Sequence, residues 1–139
     1  MKVFTLILAV CVMLACILIP GAGFTEDNDT ILLAKSIYAL ARSESYETKL
    51  AIGNVVMNRV ENPWFGDTLG EVLSQQHQFP AGSRYDAESL SAAHDVLAGK
   101  RVLDDSALYY RAADASAMWQ GEVLETIGSY SFYAEDGRI

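Results

Sequence analysis

The stretch ILLAKSIYALARSESYETKLAIGNVVMNRV, residues 31 to 60, decides the fold, because it is the longest part of the chain with consistent helical spacing of apolar residues. In its first half the apolar residues recur at steps of three and four, which places them on one face of a helix: Leu33, Ile37, Leu40 and Ala41. Asp29 or Thr30 is the expected N-cap of this helix. The pattern predicts a first helix that ends near Ala41.

A polar elbow, Arg42 to Ser45, separates this helix from a second one, and Ser45 is its expected N-cap. The second helix directs apolar residues to a core: Leu50, Ala51, Val55 and either Met57 or Val60. Asn62–Pro63 ends the second helix, because a proline disfavours helical backbone at the residue before it. Polar residues at such an elbow are well placed for function, although a turn is polar without any function as well.

Two segments of this stretch carry a family signature. They read Ile37-Tyr38-Ala39-Leu40-Ala41-Arg42-Ser43-Glu44-Ser45 and Ala51-Ile52-Gly53-Asn54-Val55-Val56-Met57-Asn58-Arg59-Val60. They resemble the opening of the SleB-type cell wall hydrolases, the spore cortex-lytic enzyme family, and the resemblance continues more weakly to about Tyr133. It implies a mainly α (α+β) fold like that of the lysozyme superfamily, with a small β ribbon near the C-terminus.

The chain departs from that family at polar positions. Leu40 stands where the family has the Glu that resembles the catalytic acid of lysozyme-like transglycosylases, whereas Glu44 matches the second Glu of the signature. Ser45 replaces a Pro and Thr48 replaces a Gly. In the closing segment Ile127 to Tyr133, Tyr130 replaces a His.

The resemblance implies a peptidoglycan-directed enzyme that cleaves between N-acetylmuramic acid and N-acetylglucosamine, as a lytic transglycosylase or muramidase. One Glu would protonate the leaving oxygen, and a Leu cannot. Glu44 is four residues after Leu40, one helical turn if the helix continues, so it is the candidate catalytic residue. Glu44 could equally pair with Arg42 or Arg59, or cap a helix.

Two other functions stay open at this point. The first is a glycan-binding module that keeps the cleft and has lost catalysis. The second is an exported helical domain that binds a protein partner in an envelope or virion. The resemblance and the suitability of amides and aromatic rings for sugars give these substrate-binding candidates: Arg42, Gln78, Phe79, Tyr109, Trp119 and Tyr130. Phe65 is expected in the core, and Trp64 is open between core packing and stacking on a sugar.

Three further elements follow from local signals. Thr68-x-x-Glu71 is a capping box that opens a short helix. Asp86 is the expected N-cap of a helix over Ala87 to Leu97 that Gly99 closes, with Leu90, Ala93 and Leu97 on its inner face. Strands at Ala107–Tyr110 and Ile127–Tyr133 are expected to pair as the β ribbon.

Residues 1–23 resemble a secretory signal: Lys2 provides the positive start, Val3 to Ile19 is apolar, and small residues follow. The apolar run is near the lower limit of the roughly 17–25 residues that span a bilayer, so an uncleaved membrane anchor over residues 3–19 is the alternative. Residues 24–139 are the expected hydrolase domain, secreted, periplasmic or held at the cell envelope. Cys11 and Cys16 both lie in the leader, so the domain has no disulfide or thiol site.

The chain carries 18 acidic and 10 basic residues, a net charge of −8. This balance is unfavourable for nucleic-acid binding, which needs clustered Lys and Arg. With His77 and His94 as the two histidines, no His-rich metal site is expected, and no cofactor motif is present. The family resemblance implies the peptidoglycan glycan strand as the partner, and neither a metal nor a cofactor is expected.

Overall fold

The computed structural model describes residues 27–75, 78–118 and 121–136. Four α-helices come first: α1 (Asn28–Ala41), α2 (Tyr46–Val60), α3 (Leu69–Ser74) and α4 (Ala87–Leu97). Three strands follow, β1 (Tyr109–Ala112), β2 (Val123–Ile127) and β3 (Tyr130–Tyr133), with a 3₁₀ helix (Ala113–Met118) after β1. The predicted mainly helical fold with a small C-terminal sheet is confirmed. The expected leader, residues 1–23, lies outside the described residues.

Side-chain caps begin three of the helices where the sequence places them. The Oγ of Ser45 accepts a hydrogen bond from the Thr48 N–H at 3.2 Å, and Asp86 Oδ1 accepts one from the Ser89 N–H at 2.7 Å. At α3 the Thr68 hydroxyl accepts one from the Glu71 N–H at 3.1 Å. These bonds satisfy amide groups that have no partner within the helix, so they define each helix start.

The predicted start of α1 at Asp29 or Thr30 is wrong. The N-cap is Asp27, whose backbone is extended, and the helix begins at Asn28. The Ile31 N–H already binds the Asp27 carbonyl at 3.2 Å, so helical hydrogen bonding begins ahead of both predicted caps. Several consecutive polar residues all suit an N-cap, and the sequence alone does not choose between them.

The core lies where α1, α2 and α4 meet. The predicted apolar faces of α1 and α2 lie there, and most of their residues are buried, whereas Leu40, Met57 and Val60 are only half-buried. Helices α2 and α4 approach closely at Gly53, where an added Cβ would lie 2.9 Å from Val96 Cγ2. On α4 Ala93 is buried as predicted, and Ala92 and Val96 are buried with it. The predicted face of α4 is therefore correct, but its most buried residues were only partly predicted.

The C-terminal sheet is antiparallel, with strand order β1-β3-β2. Its central strand pairs Tyr130 with Ala112 of β1 and with Ile127 of β2. The expected ribbon of two strands was thus incomplete, because β2 adds a third. Four of the five β2 residues are exposed, which is typical of an edge strand. The strand therefore lacks the alternation of buried and exposed residues by which a half-buried strand is recognised in a sequence. Within the described ranges, no helix has the length and apolar character needed to cross a bilayer.

Candidate functional site

The end of α1 meets the start of β3 at Leu40. The Tyr130 hydroxyl donates a hydrogen bond to the Leu40 carbonyl oxygen at 2.6 Å, and both side chains are half-buried at the edge of the core. The carbonyls in the last turn of a helix lack intrahelical partners, so Tyr130 satisfies one of them. Leu40 and Tyr130, which lie 90 positions apart in sequence, are therefore in direct contact.

Glu44 lies in the elbow between α1 and α2 and contacts the turn that joins β2 to β3. Its Oε2 accepts a hydrogen bond from the Ser129 N–H at 3.3 Å. Gly128 in the same turn has a φ of +57°, and a Cβ there would lie 2.5 Å from Glu44 Oε2 and from Thr48 Oγ1. The missing Gly128 side chain therefore leaves the space that the half-buried Glu44 carboxylate occupies.

Tyr130 is electrostatically coupled to Glu44. Burial raises the pKa of the Tyr130 phenol, and the negative charge of Glu44 raises it further. Leu40, Glu44 and Tyr130 thus form one cluster at the junction of α1, α2 and the sheet.

The buried side chain of Lys49 binds the backbone of the elbow. Its side chain is 2% exposed, and its Nζ donates to the Glu44 carbonyl at 2.9 Å and to Glu88 Oε1 at 3.1 Å. Buried lysines are rare unless paired, so these two bonds explain its position. Sequence reasoning missed Lys49, although a lysine just before the buried face of α2 was an available signal.

A second cluster surrounds Arg59, near the other end of α2. The Arg59 guanidinium is buried and lies over the rings of three aromatic residues, with centroid distances of 4.7, 5.1 and 5.2 Å: Phe65, Phe79 and Tyr109. Its Nε donates to the Leu108 carbonyl at 2.6 Å and its Nη1 to Gln78 Oε1 at 2.9 Å. Arg59 therefore joins α2, the loop after α3 and β1.

Tyr110 links the two clusters. Its ring stacks on Phe79 at 5.5 Å between centroids and meets Tyr130 edge-on at 5.9 Å. Its hydroxyl donates to the Gln78 carbonyl at 2.6 Å, and burial raises the pKa of Tyr110 to about 12. A cavity of about 360 Å³ opens beside Tyr130 and Ser129 and reaches Asp114. It provides a recess next to the turn that Glu44 contacts.

The predicted site residues fall into four groups by position. Glu44 and Tyr130 lie together with Leu40, whereas Gln78, Phe79 and Tyr109 surround Arg59. Arg42 is exposed in the elbow, and Trp119 lies outside the described residues. Phe65 packs against the core as expected, while Trp64 is 90% exposed. Across residues 27–75, 78–118 and 121–136, no three acidic, His or Cys side chains are grouped to hold a metal ion.

Comparison with known proteins identifies the family of this chain. The family model described as Cell Wall Hydrolase matches residues 43–133. The chain is 34% identical over 121 residues to the spore cortex-lytic enzyme of Bacillus subtilis (strain 168), covering 81% of this chain and 39% of that protein. For the spore cortex-lytic enzyme of Halalkalibacterium halodurans the identity is 29% over 119 residues, covering 80% and 36%. The chain thus spans less than half the length of these relatives.

Solved structures agree with the sequence comparison. The catalytic domain of the Bacillus cereus SleB protein matches with a TM-score of 0.69 at 25% identity, covering 76% of this chain and 89% of that domain. The catalytic domain of the germination-specific lytic transglycosylase SleB from Bacillus anthracis shares the fold, with a TM-score of 0.70 at 24% identity over 81% of this chain and 98% of that one. The predicted resemblance is confirmed, and the chain belongs to the cell wall hydrolase family.

Proposed function

We propose that this protein binds the glycan strands of peptidoglycan and cleaves them as a lytic transglycosylase or muramidase, with Glu44 as the proton donor. The relatives are described as spore cortex-lytic enzymes, and one solved relative as a lytic transglycosylase. The observation that carries the proposal is the position of Glu44. Its carboxylate lies against the β2–β3 turn, next to Tyr130, whose hydroxyl binds the Leu40 carbonyl.

The chemistry requires a carboxylic acid at the glycosidic oxygen. In the transglycosylase reaction the acid protonates the leaving oxygen and then removes the proton of the muramic C6 hydroxyl, which closes a 1,6-anhydro ring. General acid–base catalysis of this kind contributes roughly 10²–10⁴-fold. Glu44 follows the end of α1 by three residues, and the cavity lined by Ser129 and Tyr130 gives space for a sugar beside the turn that its carboxylate contacts.

A second candidate function is glycan binding without cleavage, and Leu40 is the observation that favours it. Leu40 carries no proton to donate, and one oxygen of the Glu44 carboxylate already accepts the Ser129 N–H. In that case the surface formed by the Glu44 and Arg59 clusters would hold glycan through Tyr109, Gln78 and Tyr130. We further propose that residues 1–23 export or anchor the chain and that residues 24–139 act at the cell envelope.

The test incubates the purified protein with insoluble peptidoglycan sacculi and analyses the supernatant by mass spectrometry. We expect soluble anhydro-muropeptides from a transglycosylase, or reducing-end muropeptides from a muramidase, and their loss in Glu44→Gln. Glu47→Gln is the matched control, because Glu47 is an exposed glutamate in the first turn of α2. Cleavage that persists in Glu44→Gln would refute the role of Glu44.

Sedimentation of the same mixtures separates the remaining functions. A protein that releases nothing and pellets with the sacculi is a glycan-binding module. A protein that releases nothing and stays in the supernatant is not directed at peptidoglycan, which would leave binding to a protein partner.

A further inference from the structure

The most exposed large aromatic side chain in the described part of the molecule is Trp64, at 90% exposure. It lies in the loop between α2 and α3, which is held in a turn. The Trp64 N–H donates to Asn62 Oδ1 at 3.0 Å, and the Phe65 N–H donates to the Asn62 carbonyl at 3.2 Å. An indole ring left in water on an ordered turn is unusual, because large apolar side chains gain most from burial.

In sequence, Trp64 directly precedes Phe65, which belongs to a row of aromatic side chains that begins at the Glu44 cluster. We define the aromatic row as Tyr130, Tyr110, Phe79, Tyr109 and Phe65. Tyr130 contacts Tyr110, Tyr110 stacks on Phe79, and Phe65 meets Tyr109 edge-on at 5.9 Å. Arg59 joins the two halves, since its guanidinium lies over Phe79, Phe65 and Tyr109. Trp64 is adjacent to Phe65, the last member of the row.

The position of Trp64 along α2 indicates how far it lies from the proposed acid. Glu44 precedes α2 and Trp64 follows it, and a helix of 15 residues is roughly 22 Å long. A polymeric glycan that occupies the cluster at Glu44 and extends across the protein surface outside the aromatic row would reach Trp64 several sugars away. A short fragment bound at Glu44 would not.

We propose that Trp64 is a distal subsite for the glycan strand, where the indole stacks on the apolar face of a sugar ring. This inference rests on the proposed function, and it adds the length of glycan that the protein recognises. Aromatic rings suit sugars because a pyranose has a flat apolar face, and stacking leaves its hydroxyl groups in water. The ring that stacks on Trp64 is expected to be N-acetylglucosamine, because this sugar of the strand carries no carboxylate and the chain has a net charge of −8.

The test uses peptide-free glycan fragments of peptidoglycan with two, four and eight sugars. The chain has two tryptophans, so the fluorescence change that is present in unmodified protein and absent in Trp64→Phe belongs to Trp64. This difference should appear with eight sugars and not with two. In the unmodified background, Trp64→Ala should weaken eight-sugar binding by roughly threefold to tenfold and leave two-sugar binding unchanged. Trp64→Phe, which keeps an aromatic face, should recover most of the loss.

Leu124→Ala is the matched control, because it removes another exposed apolar side chain, at the β2 edge of the sheet. Equal eight-sugar affinity for Trp64→Ala, Leu124→Ala and unmodified protein would overturn the subsite while leaving the proposed function intact. Equal weakening for two and eight sugars would overturn its distal position. Failure of the unmodified protein to bind any fragment or sacculi would overturn the proposed function, and the subsite with it.

Discussion

The Tyr130 hydroxyl donates a hydrogen bond to the Leu40 carbonyl oxygen at 2.6 Å, across 90 positions of sequence. The family resemblance implies that these two positions correspond to a His and a Glu of the signature, so two positions far apart in the chain share one contact. Burial raises the pKa of Tyr130, and the negative charge of nearby Glu44 raises it further. A change at any one of these three positions should therefore alter the environment of the other two.

Leu40→Glu is expected to increase glycan cleavage. The new carboxyl would lie half-buried at the edge of the apolar core, where burial favours the protonated form that a general acid needs. Because general acid catalysis contributes roughly 10²–10⁴-fold, a gain of about 100-fold in muropeptide release is expected, and a larger one when Tyr130→His is added. Release from sacculi is the measurement.

Ala39→Glu is the control for that gain, since Ala39 is the exposed neighbour of Leu40 on α1. It adds the same charge to the same helix away from the cluster. Equal activity of Leu40→Glu and Ala39→Glu would show that the Leu40 side chain does not face bound glycan, and the assignment of the cleft would fail.

Arg59→Lys is expected to destabilise the protein although the charge is kept. Lysine lacks the planar guanidinium that stacks on three rings while binding the Leu108 carbonyl and Gln78. Loss of one hydrogen bond to a charged donor and of the stacking should lower the free energy of unfolding by about 2–3 kcal/mol. Urea unfolding measures it. The exposed Arg84 is the matched control, and Arg84→Lys should change nothing; an equally small effect at Arg59 would contradict the assigned contacts.

The helices of this fold were predictable because their signals are local. Ser45, Thr68 and Asp86 each cap a helix through an amide three residues on, so spacing alone revealed them. The β2 strand escaped prediction because it is an exposed edge strand that carries Glu125 among its apolar residues. Its place is fixed by pairing with β3, which the local pattern does not encode.

The candidate site was only partly predictable, since its contacts join distant parts of the chain. The sequence singled out Leu40, Glu44 and Tyr130 one by one, through the family signature. It did not reveal that Glu44 binds the Ser129 N–H, 85 positions away. Nor did it reveal that Arg59 gathers side chains from the loop after α3 and from β1, because an arginine in a helix is normally exposed.

Stability should fall at strongly alkaline pH because of Tyr110. Burial raises its pKa from 10.0 to about 12, so the folded state holds this proton more tightly than the unfolded chain. The resulting stabilisation, of the order of 2 kcal/mol, is fully present below pH 10 and is lost as pH rises through 12. Urea unfolding at pH 8, 10 and 11.5 measures the decline.

Tyr110→Phe is the control for the alkaline decline, because it keeps the ring stacked on Phe79 and removes the titrating hydroxyl. It should cost about 1 kcal/mol at pH 8 through loss of the bond to the Gln78 carbonyl. Above pH 10 the decline should be shallower than in unmodified protein, with Tyr46 and Tyr130 supplying the remainder, since their pKa values are raised as well. Parallel declines in the two proteins would rule out Tyr110 as a contributor.

Gly128→Ala is expected to displace the Glu44 carboxylate. At a φ of +57° the added Cβ would lie 2.5 Å from Glu44 Oε2 and Thr48 Oγ1, so one of them must move. Thr48 is fully buried and its hydroxyl is bonded to Ser45 Oγ at 2.9 Å, whereas the Glu44 side chain is flexible. The carboxylate should therefore leave the Ser129 N–H, and Glu44-dependent glycan cleavage should fall about tenfold or more, given the roughly 10²–10⁴-fold worth of a general acid.

Variants at two other glycines distinguish the effect of displacing the Glu44 carboxylate from the effect of backbone strain. Gly99 has a φ of +105° with no atom within 4 Å of an added Cβ, so Gly99→Ala should cost stability, about 1–2 kcal/mol, without changing cleavage. Gly70 lies within α3 with equally open space, and Gly70→Ala should stabilise the protein by about 0.5–1 kcal/mol. Because the strain is common to Gly128→Ala and Gly99→Ala, a loss of cleavage confined to Gly128→Ala assigns the effect to the displaced Glu44 carboxylate. Equal cleavage by both variants would mean that the position of Glu44 at the turn does not matter for the reaction.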